Sequence, residues 1–279
     1  MQHRDGRFQG AAGHSIYYQY WTPEDPPKAV VLLVHGAGEH SNRYRHVAEL
    51  LTGKGFAVAA LDHIGHGQSD GEYGHMEKFQ HYLDTLEIFR RQVSWDFDKV
   101  PMFLLGHSMG GLISALYLLE YQDEFLGAAL SGPAIKTDIE PGKGQLLSIK
   151  LLSKTTPSLG VLQLDSEGVS RDPAVVAAYN DDPLVHHGKM SARFVSELFN
   201  GMNTIQAEAH KITLPLLLMH GEADSMTSAE GSKHLNGKVR SEDKTLKLYP
   251  KLYHEIFNEP EQDEVLGDLL AWLEQRLPS

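Results

Sequence analysis

The stretch Met102-Phe-Leu-Leu-Gly106-His-Ser108-Met-Gly110-Gly111 constrains this chain more than any other. Apolar residues run directly into Gly-x-Ser-x-Gly, and the largely apolar segment Leu112-Ile-Ser-Ala-Leu-Tyr-Leu-Leu119 follows at once. That order reads as strand, sharp turn and buried helix, the context of a nucleophile elbow. Such a turn strains the serine backbone, and side chains at Gly106 and Gly110 would collide with the neighbouring strand and helix. Ser108 would stand at a helix N-terminus, where the Met109 N–H can point at a developing oxyanion. Gly67-Gln-Ser69-Asp-Gly71 matches the same pattern without its context. Its strand ends near Asp62, a Gly65 turn intervenes, and Glu72-Tyr73-Gly74 follows in place of an apolar helix. Ser69 is therefore read as a loop residue and Ser108 as the nucleophile.

The flanking sequence alternates between two periods. Ala29–Val34, Phe56–Leu61, Leu126–Leu130 and Pro215–Met219 are short apolar runs, as expected of strands buried on both faces. Helical spacing appears over Tyr44–Lys54, Phe79–Val93 and Asp263–Leu277, and strand alternation over Ile16–Trp21 and Lys244–Tyr249. The pattern predicts an α/β fold with a mainly parallel central sheet flanked by helices. From Ala134 to Ile205 the rhythm changes and no clean strand appears. Asp172-Pro173 reads as an N-cap and first helical position, and 191–205 has helical spacing. Residues 134–205 are read as an inserted helical cap, which divides the core into 1–133 and 206–279.

The 279 residues suit one large domain. There is no cysteine, so neither a disulfide framework nor a thiolate metal site is expected. The net charge of -12 argues against nucleic acid and against adsorption to anionic headgroups. No apolar run follows Met1, so neither a signal peptide nor a membrane span is expected. The expectation is a cytoplasmic protein, with any peripheral membrane contact made by a local apolar patch. Leu146, Leu147, Ile149, Leu151 and Leu152 of the cap are the candidates for it. His63 with His66, and His186 with His187, lack a helical H-E-x-x-H frame or a third ligand, so no metal or other cofactor is expected.

A serine hydroxyl needs a base to take its proton and a carboxylate to orient that base. In this strand–turn–helix setting the chain order is serine, acid, histidine. Sixteen histidines compete. His254 follows the last strand, in a loop able to reach the elbow, whereas His220 precedes every acid of its own loop. The acid should follow the preceding strand, where Glu222 and Asp224 both qualify. Asp224 is preferred, because the turn needs a few residues before a side chain can point back; Asp138 is a third choice. The second oxyanion donor should come from His35-Gly-Ala-Gly38, with the Ala37 N–H first and Gly36 next. His107 is read as a polar wall of the pocket.

Several stretches together resemble the monoacylglycerol lipases of the α/β-hydrolase fold, also grouped with serine aminopeptidase S33-like hydrolases. They are His35-Gly-Ala-Gly-Glu-His-Ser41 with Arg43-Tyr44, Asp62-His63-Ile-Gly65-His-Gly-Gln-Ser-Asp-Gly71, the elbow itself, Tyr179-Asn-Asp-Asp-Pro-Leu184, Asp243-Lys-Thr-Leu-Lys247 and Tyr253-His254. The resemblance runs from about Tyr18 to the C-terminal helix. It implies hydrolysis of monoacylglycerols to fatty acid and glycerol, with Ser108, Asp224 and His254 on the triad positions and Ala37 and Met109 on the oxyanion donors. It also implies that Glu39, Arg43, His107 and Tyr179 line the end where glycerol sits. The chain lacks the cysteines found near the mammalian site, and its cap sequence departs most. An apolar cap over a serine suits a long acyl chain, since each buried methylene contributes about 0.8 kcal/mol. A carboxylesterase of short acyl esters and a lysophospholipase or acyltransferase are the rival enzyme readings; a non-enzymatic binding protein would be expected to have lost a triad member or the oxyanion glycines, and none is missing.

Overall fold

The central strands form where the sequence is apolar on both faces, and helices fill most of the intervals between them. The computed structural model describes residues 1–137 and 142–278. In chain order its elements are β1 (Gln2–Gln9), β2 (Ser15–Thr22), β3 (Ala29–Val34), α1 (Arg45–Gly53), β4 (Phe56–Leu61), α2 (Gln80–Asp96), β5 (Met102–His107), α3 (Met109–Tyr121) and β6 (Gly127–Ser131). There follow α4 (Lys143–Thr155), β7 (Gly160–Gln163), α5 (Pro173–Asp181), β8 (Lys189–Ser191) and α6 (Ala192–Glu208). The chain ends with β9 (Leu216–Gly221), α7 (Ala229–Lys238), β10 (Lys244–Tyr249) and α8 (Gln262–Glu274).

Among the described residues, eight strands make one sheet in the order β1-β2-β4-β3-β5-β6-β9-β10. The pairs β1/β2 and β2/β4 are antiparallel, and every other pair is parallel. This is the α/β-hydrolase fold. Alternation within the apolar runs serves both faces at once. Val30, Leu32 and Val34 pack with residues of α2 and α3, while Ala29, Val31 and Leu33 pack with residues of α1 and α8.

Two features differ from the expectation. β1 carries no apolar period, because its residues are mostly exposed; it forms by pairing along the whole of β2. The segment between β6 and β9 is not wholly helical. Its described residues add no strand to the large sheet but hold a small antiparallel pair, β7 with β8, of four and three residues. Strands that short show no readable alternation. Its helices begin where the sequence indicates. The Asp172 carboxylate accepts the Ala174 N–H ahead of α5, with Pro173 in the first turn, and the Ser191 hydroxyl accepts the Phe194 N–H ahead of α6. α6 lies on α3 at Gly201, where an added Cβ would sit 3.3 Å from Leu112 and Leu116. α6 runs on to Glu208, three residues past position 205.

Candidate active site

The elbow is built as its spacing requires. Ser108 sits between β5 and α3 at φ 55°, ψ −119°, a positive φ that non-glycine residues rarely adopt. A Cβ at Gly106 would lie 2.4 Å from the Ser114 hydroxyl, and one at Gly110 would lie 2.1 Å from the Val34 carbonyl. Only glycine lets β3, the turn and α3 approach this closely.

Three residues distant in sequence meet at the turn. His254 Nε2 lies 2.8 Å from Ser108 Oγ, and His254 Nδ1 lies 2.7 Å from Asp224 Oδ2. An ionised carboxylate only accepts, so Nδ1 carries the proton and Nε2 is left to accept from the serine. Asp224 is held from several sides. Its Oδ1 accepts the N–H groups of Met226 and Thr227 at 2.8 and 2.9 Å, and its Oδ2 accepts the Thr227 hydroxyl at 2.8 Å. Burial alone would raise the Asp224 pKa, but His254 and a contact from His220 outweigh it and hold the carboxyl well below its usual range. Burial disfavours a charged His254, yet the Asp224 charge and hydrogen bond prevail and raise its pKa. Glu222 is exposed, its amide is paired to the Tyr249 carbonyl, and it is not among the hydrogen-bond partners of His254. Asp138 lies outside the described residues.

The two oxyanion candidates differ. The Gly36 N–H is taken by Glu39 Oε1 at 2.6 Å. The Ala37 and Met109 N–H groups donate to no acceptor among the described residues, and both residues line the cavity over Ser108. Leu164, Val195, Leu198, Phe199 and Met202, all from the segment between β6 and β9, form much of its apolar wall. Glu39, His107 and Tyr179 line it too, together with Glu255, which sequence reading did not single out. His107 Nδ1 pairs with Ser131 Oγ at 3.2 Å. Burial, with the neighbouring His254, lowers the His107 pKa to about 3, so it stays neutral. Arg43 does not line this cavity; it is paired to Glu255 and Glu39, which do.

The histidines weighed as metal ligands, and Ser69, pack or pair locally. Ser69 Oγ donates to the Asp62 carbonyl at 2.6 Å and accepts the Tyr17 N–H at 2.9 Å, so it ties β2 to the loop after β4. His63 and His66 pack with His35 and Tyr82, His186 stacks on Tyr73, and His187 meets the edge of Tyr179. His220 is fully buried. Its Nε2 lies 3.2 Å from Asp224 Oδ2 and its Nδ1 2.7 Å from Ser232 Oγ.

The family model for serine aminopeptidase S33 matches residues 25–261. The chain is 41% identical to a monoacylglycerol lipase of Mycolicibacterium smegmatis, across 97% of this chain and 96% of that one. It is 37% identical to a monoglyceride lipase of Rattus norvegicus, across 96% and 89% of the two chains. The crystal structure of Paleococcus ferrophilus monoacylglycerol lipase superposes with a TM-score of 0.83 at 34% identity, covering 99% of this chain and 100% of that one. Matched by the family model over most of its length, and similar end to end to these lipases, the chain belongs to the serine aminopeptidase S33 family of α/β-hydrolases.

Proposed function

We propose that this protein is a serine hydrolase that cleaves monoacylglycerols to fatty acid and glycerol. The observation that carries the reading is the pair of hydrogen bonds joining Ser108, His254 and Asp224 at the floor of a cavity with one long apolar wall and one polar end. The relatives named above are lipases of this substrate class. Ser108 Oγ attacks the ester carbonyl as His254 Nε2 takes its proton. The carbonyl electrons move onto oxygen, which the Ala37 and Met109 N–H groups receive. His254 then gives its proton to the leaving glycerol oxygen. A water, deprotonated by His254 in turn, releases the fatty acid from Ser108. Asp224 stays ionised and keeps the imidazole in the working tautomer.

Residues 134–205 act as a cap that holds the acyl chain. At the other end, the Tyr179 hydroxyl and His107 Nε2 have no hydrogen-bond partner among the described residues, and both residues line the cavity with Glu39. These groups suit the free hydroxyls of a glycerol head. A second acyl chain would displace those bonds and strand polar groups, at about 1–3 kcal/mol each. In detergent, with acyl chains matched, monoacylglycerol is expected to exceed diacylglycerol in kcat/KM by at least roughly tenfold, since sites built for a hydroxyl discriminate against analogues lacking it. Tyr179→Phe should erode that ratio. Equal or faster cleavage of diacylglycerol would make this a broader lipase, and preference for short-chain esters would make it a carboxylesterase.

No helix of the described residues is long and apolar enough to cross a membrane. The cap instead exposes Leu147, Leu151, Leu159 and Leu162. Leu147 and Leu151 are one turn apart on α4, and the exposed Leu162 also lines the cavity. We infer that this patch meets the lipid surface where the substrate dissolves. Leu147→Gln with Leu151→Gln should weaken adsorption to zwitterionic vesicles by at least about tenfold, given the methylenes removed from contact. Hydrolysis of a water-soluble ester should be unchanged; undiminished adsorption in a vesicle sedimentation assay would refute the patch.

A further inference from the structure

One guanidinium joins the two loops that must be aligned for ester hydrolysis. Arg43 Nη1 and Nη2 pair with the two carboxylate oxygens of Glu255 at 2.5 and 2.8 Å, and Nη1 also lies 3.1 Å from Glu39 Oε2. Glu255 directly follows His254, and its N–H donates to the Val169 carbonyl at 2.8 Å. Its Oε2 accepts a further bond from Asn258 Nδ2 at 2.8 Å. On the other side, Glu39 Oε1 accepts the Gly36 N–H at 2.6 Å and the Tyr44 hydroxyl at 2.7 Å. An unbroken chain of contacts thus runs from the His254 loop through Glu255, Arg43 and Glu39 to the backbone immediately before Ala37. The flat face of Arg43 lies 4.8 Å from the Tyr179 ring centroid, so the polar end of the cap rests on the same group.

We propose that Arg43 is a positioning residue that fixes the Ala37 N–H relative to the His254 imidazole, and that it does not hold the substrate's head group. This rests on the serine-hydrolase reading above. Both terminal nitrogens of Arg43 are paired with carboxylates, Tyr179 lies over one of its faces, and it is not among the residues that line the cavity. Glu39, in turn, spends one oxygen on shaping the loop: by taking the Gly36 N–H it leaves Ala37 as the free donor. The bidentate fork is the arginine geometry that a lysine cannot reproduce. Misplacing a reacting group by an ångström costs on the order of 10²-fold in rate.

The two roles separate by substrate. A residue that aligns donor and base acts on every ester alike, whereas a head-group contact acts only on substrates that carry glycerol. The experiment measures kcat and KM for a monoacylglycerol and for the ethyl ester of the same fatty acid, in Arg43→Met, Arg43→Lys and the milder Glu255→Gln. Rates are expressed per serine titrated by a fluorophosphonate, so that loss of folded protein does not register as loss of turnover. Arg43→Met is expected to lower kcat by about 10²-fold on both substrates, with KM changed little. Arg43→Lys should recover only part of the loss. Glu255→Gln should fall equally on both substrates, and the Arg43→Met/Glu255→Gln double variant should lose no more than Arg43→Met alone, because the two act as one unit. A loss confined to the monoacylglycerol and expressed as raised KM would overturn the proposal, as would losses that multiply in the double variant. Titration of Ser108 in the unaltered protein tests the serine-hydrolase reading separately.

Discussion

Ser108→Ala is expected to abolish fluorophosphonate labelling and to lower ester hydrolysis by about 10⁶-fold, the scale seen when a hydrolase loses its serine nucleophile. The residual rate would come from the Ala37 and Met109 amides and from binding alone. The Ala side chain occupies the same strained φ without a hydroxyl, so the fold should persist and unlabelled protein should still be compact. Ser69 provides the internal control, because it matches the same pattern. Ser69→Ala should label as the unaltered protein does. It should nevertheless be less stable, because its hydroxyl bridges the Asp62 carbonyl and the Tyr17 amide in a buried site. Leaving those groups unpaired costs about 1–3 kcal/mol, read as a lower Tm. Labelling that survives Ser108→Ala would remove the nucleophile assignment.

Asp224→Asn should lower kcat by about 10⁴-fold, the loss the same change causes in the serine-protease triad. The reason lies in how the carboxylate is held. Two backbone N–H groups, from Met226 and Thr227, point at Oδ1, so an asparagine would place its carbonyl oxygen there. Its NH₂ group would then face His254 Nδ1 and donate to it. That forces the proton onto Nε2, which can no longer accept from Ser108. Glu222→Gln should change activity less than about twofold, because exposed substitutions away from such features have small effects.

The same pair sets the pH response. His254 acts as a base only when neutral, and the Asp224 charge raises its pKa despite burial. In the unaltered enzyme kcat/KM should therefore fall with acidification through a limb above the ordinary imidazole value of about 6.5. In Asp224→Asn the largest attraction is gone, and only the weaker pull of Glu255 and Glu39 opposes burial, so the limb of the residual activity should move to lower pH. A limb that stays in place, measured with folding intact, would mean that Asp224 is not the carboxylate acting on His254.

Much of this molecule is legible in one dimension because its signals are local. Parallel strands buried on both faces must be apolar throughout, so β3, β4, β5 and β9 stand out as runs. The elbow is a contiguous turn, and its glycines are dictated by backbone contacts within a few residues or across one strand. Chain order leaves two of the sixteen histidines after Asp224, and of these His234 falls inside a helix while His254 stands in a loop. By contrast, β1 is polar and depends on the edge that β2 offers, while β7 and β8 are too short to show a period.

The sequence by itself determined the strands at the centre of the sheet and the elbow, since each rests on side-chain periodicity or on a turn of a few residues, and it singled out Ser108, Asp224 and His254 as candidates. Only the tertiary structure decided which polar groups line the cavity over Ser108 and which pair with one another. Glu39 and Arg43 stand four residues apart in a loop that resembles a head-group site, yet Arg43 pairs with Glu255, 212 residues away, and Glu39 closes on Gly36. That choice depends on two loops from distant strands ending at the same edge of the sheet. A buried charge takes whichever partner the fold brings within hydrogen-bond reach, because leaving it unpaired out of water costs several kcal/mol. No spacing along the chain encodes that meeting.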